Sequence, residues 1–135
     1  MRILFVGLFL APWSIFSQNN ISVHVHNVQS NKGHINVAVY NSDDTFLSFD
    51  RVFKAGREAA HEGIVQLMIE DLPVGKYALA VFHDENGNGK LDTNWLGVPK
   101  EKVAFSKGKM KTFGPPKYNE CAFQIHSDYE IDVKL

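Results

Sequence analysis

Four polar residues in the stretch "HDENGNGKLDTN", His83 to Asn94, are spaced in a way that can do chemistry. Asp84, Asn86 and Asn88 alternate, Gly89 follows, and Asp92 stands eight positions after Asp84. In a loop that turns sharply at a glycine, alternate side-chain oxygens converge on one point, the arrangement that a hard cation such as calcium requires. The Lys90 carbonyl is placed to add a further oxygen, so the candidate metal set is Asp84, Asn86, Asn88, Lys90 and Asp92. The pattern departs from a helix–loop–helix calcium site at its twelfth position, where Trp95 stands in place of a bidentate glutamate. Asp84 and Asp92 bring two formal charges, with Glu85 or the more distant Glu101 available to add another. The same residues also suit a metal-free turn in which Asp and Asn oxygens accept backbone N–H groups.

Other residues bear on the chemistry less directly. His83, Asp84 and Glu101, with Ser106 further on, supply the types needed for a hydrolase-like cluster, but neighbouring strand residues point to opposite faces and no nucleophile elbow is present. His24 and His26 share one face of a strand, a pair short of the ligands that copper or zinc needs. Cys121, beside Ala122 and Phe123, has the setting of a small buried hydrophobe. Trp95, Phe113 and Tyr118 can gather near the loop, either as a plug for the end of the fold or as a stacking surface for a sugar or peptide.

The elements that must position these residues are read from hydrophobic periodicity, and the dominant period is two. Ile21, Val23 and Val25 share one face of "ISVHVHNV", and Ile35, Val37 and Val39 share one face of "HINVAVY". The turn-forming link "QSNKG" between them predicts an antiparallel hairpin. Residues 43–60 are the least strand-like. Phe46, Phe49 and Phe53 there fit either a short helical turn capped by Asp43 or Asp44, or an irregular loop packing its aromatics on the sheet. Alternation resumes in "IVQLMIEDLP", "KYALAVFHD" and the shorter "EKVAFS", "KTFGPP", "CAFQIH" and "YEIDVKL". Seven or eight short strands without a long helix predict an all-β fold, an antiparallel β-sandwich.

Composition and the N-terminus bound the setting. Met1 and Arg2 precede the apolar run "ILFVGLFLAPWSIF", and the small Ser17 follows, so residues 1–17 read as a signal peptide cleaved near Ser17 and residues 18–135 as a single β-sandwich domain. The expected location is periplasmic or secreted. A lone cysteine, Cys121, excludes an internal disulfide framework, and none stands just after the apolar run to carry a lipid. Arg2 is one of 14 Lys and Arg, so 13 remain against 15 Asp and Glu, a balance that offers no basic field for nucleic acid. No second apolar run of spanning length predicts an integral membrane segment in the mature chain.

Taken together, "HDENGNGKLDTNWLGVPKE", then "FS", then "FGPP" resemble a bacterial exported family known as domain of unknown function 2141, with H-D-x-N-x-N-G-x-x-D, G-x-P-x-E and F-G-P-P in order. The resemblance implies an immunoglobulin-like or transthyretin-like sandwich in the bacterial envelope and no assigned activity. The chain departs from the family at Ala104 and Lys107, where members often carry Gly and Asn. The expected function is a non-enzymatic binding or interaction module, with calcium as its cofactor at residues 84–92 and an envelope protein, peptide or glycan as its partner. The alternative is a hydrolase-like enzyme using His83, Asp84 and Glu101.

Overall fold

The computed structural model describes residues 18–135, so the segment expected to be a signal peptide, residues 1–17, lies outside the described residues. Strands β1 (Gln18–Val28), β4 (Gly63–Pro73) and β8 (Tyr129–Lys134) form one sheet in the order β4-β1-β8. Strands β2 (His34–Tyr40), β3 (Lys54–Ala59), β5 (Gly75–Asp84) and β6 (Val103–Phe105) form the second in the order β3-β2-β5-β6, and β7 (Phe123–Ile125) pairs with the start of β5. Among the described residues the one α-helix, α1, is a single turn at Tyr118–Cys121. The fold is the expected all-β sandwich.

Alternation explains the core. Ile21, Val23 and Val25 from β1, Val65 and Ile69 from β4, and Ile131 and Val133 from β8 are buried against Ile35, Val37 and Val39 from β2 and Leu79 and Val81 from β5. Each such side chain contributes about 1.5–3 kcal/mol by leaving water. The opposite face of the three-stranded sheet faces solvent, carrying His24, His26 and Asp132 beside the exposed Ile64 and Met68, and His26 Nε2 lies 2.7 Å from Asp132 Oδ1.

Strand β5 is buried on both faces. Its even-numbered residues Ala78 and Ala80 belong to a second apolar cluster with Ala38, Tyr40, Phe105, Tyr118 and Cys121, on the outer side of the larger sheet. Two excursions cover this face, one around residues 41–53 and the other around residues 106–122. Phe46 bridges them, with its ring 5.5 Å from that of Tyr40 and 5.8 Å from that of Tyr118, both edge-on. Ser106, fully buried, pins the second excursion: its Oγ accepts from the Leu79 N–H at 2.8 Å and donates to the Cys121 carbonyl at 2.7 Å.

Three local expectations are corrected. The hairpin between β1 and β2 does not form: both sides of β1 are taken by β4 and β8, and both sides of β2 by β3 and β5, so the link carries the chain from one sheet to the other. Strand β8 runs parallel to β1, from Ile21 opposite Tyr129 to His26 opposite Lys134, whereas the other strand pairs are antiparallel. In "KTFGPP" a tight turn with a Lys111–Gly114 bridge replaces the expected strand. Residues 43–60 hold turns, a 3-10 turn at Phe49–Arg51 and then β3, whose "KAGREA" is too polar to show alternation.

Candidate functional site

Asp84 is the last residue of β5 and faces the same side as Ala80 and Phe82, while His83 points the opposite way. The Asp84 side chain is fully buried. Its Oδ2 accepts from the Gly89 N–H at 2.7 Å and from Asn36 Nδ2 at 3.4 Å, and its Oδ1, equally enclosed, has no hydrogen-bond partner. A carboxylate oxygen in that position is out of water without compensation, an arrangement that costs free energy unless something positive meets it.

The loop is wound around this carboxylate by two glycines with left-handed backbone, Gly87 at φ 70° and Gly89 at φ 76°. The Asn86 Oδ1 accepts from the Asn88 N–H at 3.2 Å, and Asn88 Oδ1 from the Lys90 N–H at 2.9 Å. Their amide nitrogens both donate to Asp92, Asn86 to Oδ2 at 2.5 Å and Asn88 to Oδ1 at 2.9 Å. These donors, Asn88 and then Asn86, hold the Asp92 carboxyl below its ordinary pKa. Glu101 closes the loop from the following segment, its Oε2 accepting the Asp92 N–H at 3.3 Å. Burial, and then the nearby charges of Asp92 and Asp84, push the Glu101 carboxyl up, against the hydrogen bonds it accepts from the Asp92 and Glu85 backbone.

Glu101 thus senses the charges of Asp92 and Asp84 across a loop otherwise supplied with amide and backbone oxygens. Among the described residues no three His, Cys, Asp or Glu side chains form a ready metal-ligating group. A cation here would depend on Asn86 and Asn88 turning their amide oxygens inward, a rotation that exchanges N for O in nearly the same volume. Without an ion, the two amide N–H groups supply the positive partners of Asp92. Lys90 contributes its N–H to Asn88, and its own side chain is exposed.

Of the residues of the hydrolase-like cluster, His83 is directed to the opposite face of β5 from Asp84. His83 is buried and its Nε2 donates to the Lys32 carbonyl at 2.7 Å, so the ring is occupied in holding the β1–β2 link. Ser106 is committed to backbone on both sides. Cys121 is buried, and burial pushes its thiol pKa up, away from the nucleophilic thiolate.

The three aromatics part company. Trp95 is 91% exposed at the tip of a turn closed by the Thr93–Pro99 bridge, and Phe113 is fully exposed at the tip of the Lys111–Gly114 turn. Tyr118 is buried in the outer cluster with its hydroxyl donating to the Lys76 carbonyl at 3.0 Å, so it supports the layer from beneath instead of offering a face to solvent. Two contributors were not singled out from sequence. Asn36, on the outer face of β2, reaches Asp84, and its signal was one polar residue on a strand face shared with Ala38 and Tyr40. Gly33, at φ 68°, lets the β1–β2 link lie against the loop: a Cβ there would overlap the Asp84 carbonyl and sit 2.8 Å from the Glu85 backbone.

Among the described residues no helix is long and apolar enough to cross a membrane. No curated protein and no solved structure matches the chain. A family model does match residues 23–132, a span that includes both sheets and the whole loop, and the chain therefore belongs to the family described as uncharacterized protein conserved in bacteria (DUF2141).

Proposed function

We propose that this is an exported binding module of the bacterial envelope, in which residues 84–92 take up calcium and so fix one end of the sandwich as a docking surface for an envelope protein, peptide or glycan. The observation that carries the proposal is Asp84, a fully buried carboxylate with one oxygen unpartnered, within a loop of oxygen donors. Asp92 and Glu101 bring further negative charge to the same place, which favours a hard cation over any uncharged guest. Exposed Trp95 and Phe113 are the contact residues on this docking surface. A non-enzymatic role is supported by the commitment of His83 and Ser106 to backbone groups. Export is supported by the apolar run of residues 1–17, and N-terminal sequencing of the protein from its host should find a start close to Gln18 in the periplasm or the medium.

A cation bound only by the folded state raises stability by RT ln(1 + [L]/Kd), about 2.7 kcal/mol at a hundredfold excess over Kd. The melting temperature should rise in millimolar calcium and return to its starting value in chelator. Asp84→Asn should remove the response. Trp95→Ala should leave it intact, because the indole is exposed and supplies no oxygen. Wild-type melting and calorimetric titration both indifferent to millimolar calcium would refute the cation site.

A further inference from the structure

We propose that the outer face of the five-stranded sheet carries a binding site for a neutral, largely hydrocarbon small molecule. The site is a cavity of about 530 Å³ between that sheet and the turns 93–99 and 111–114, within the size range of small-molecule pockets. The proposal does not depend on whether the neighbouring loop holds a cation.

The cavity follows from strand register. Ala38, Ala80 and Phe105 lie opposite one another across β2, β5 and β6, and all three line the cavity. The two alanines at the centre of this row leave unfilled the volume that larger side chains would take. Tyr40 and Phe82 stand in the flanking rows as walls. The covering excursions bridge this hollow without closing it.

The mouth has apolar lips. Leu96, Val98, Met110 and Phe113 line the cavity and are 66%, 53%, 44% and 101% exposed. Large apolar side chains held in water on two separate turns, and directed at one hollow, mark a ligand site more readily than scattered surface residues do. The lining also defines the ligand's charge. Its one charged residue, Lys111, is paired with Glu120 at 2.6 Å, so no free charge faces the cavity for an anion or a cation. The polar residues of the lining, Thr93, Thr112 and the buried Tyr40, carry no charge and suit at most a hydroxyl or carbonyl of a guest.

The test is a titration of the purified protein with Nile red, a neutral dye whose emission shifts in apolar surroundings, followed by displacement. Saturable binding is expected, with 1-decanol displacing the dye at least tenfold more effectively than decanoate or glucose. The double variant Leu96→Asp, Phe113→Asp should weaken dye binding at least tenfold with an unchanged circular dichroism spectrum, since both side chains are exposed. Ala80→Trp, which fills the floor, should abolish binding if it folds. Absence of saturable dye binding, equal displacement by decanoate, or an unaffected double variant would each overturn the proposal. So would a dimer that excludes the dye and is dissolved by Phe113→Asp, because the apolar mouth would then belong to a second copy of the chain.

Discussion

At the scale of single residues, Asp84 and Gly33 are two halves of one device. Gly33 presses on the Asp84 carbonyl from the β1–β2 link, and His83, next in sequence to Asp84, ties that link down through the Lys32 carbonyl. A methyl group at position 33 meets backbone rather than a movable side chain, and the left-handed conformation adds about 1–2 kcal/mol of its own. Gly33→Ala should therefore lower the denaturation midpoint clearly, whereas Gly87→Ala, with nothing within 4 Å of its new methyl, should carry only the conformational part. Equal losses in the two variants would show that the close approach is unimportant. The loop was legible in sequence because its signal is local: Asp and Asn at alternate positions and a Gly that turns the chain are all read within nine residues. Asn36 and Gly33 were not, because their parts in the site arise only when β2 lies beside β5.

At the scale of elements, alternation identified which residues of a strand face inward but not which strand lies beside it. Ile21, Val23, Val25, Ile35, Val37 and Val39 are buried as their spacing required, yet β1 and β2 belong to different sheets. A five-residue link rich in Gly, Asn and Ser closes a hairpin or crosses a sandwich equally well, since opposed sheets are only about 10 Å apart. Likewise a strand buried on one face has the same pattern whether its neighbour is parallel or antiparallel, so the direction of β8 was hidden. The outer layer depends on a different kind of joint. Ser106 is a single hydroxyl that satisfies the Leu79 N–H and the Cys121 carbonyl, and so connects β5 to the excursion carrying α1. Ser106→Ala leaves both groups unpaired, and each buried polar group without a partner costs about 1–3 kcal/mol. The exposed Ser127→Ala is the control and should stay within about 0.5 kcal/mol of wild type. Chemical denaturation compares the two directly, and similar small effects would mean that the outer layer does not rest on Ser106.

At the scale of the molecule, the sandwich is closed by strands from opposite ends of the described chain. β1 and β8 pair along six residues, and the pairing is extended at both ends: Asp128 Oδ1 accepts from the Asn20 N–H at 2.8 Å, and the Leu135 N–H donates to the His26 carbonyl at 3.1 Å. Among the described residues β8 is the outer strand of its sheet with one strand neighbour, and it is held as much by what Ile131 and Val133 bury as by the ladder. Ile131→Ala removes apolar volume from between the sheets and should destabilise by about 2–4 kcal/mol, as buried Ile→Ala changes do. Ile64→Ala makes the same chemical change in β4, where the side chain is half exposed, and should cost far less. Total stability of a domain this size is on the order of 5–15 kcal/mol, so the first variant should move the urea midpoint substantially and the second hardly at all. If the two midpoints fall together, β8 is an edge strand attached by its ladder alone; if they separate, the inter-sheet core extends to β8, and β1 and β8 stabilise one another through it.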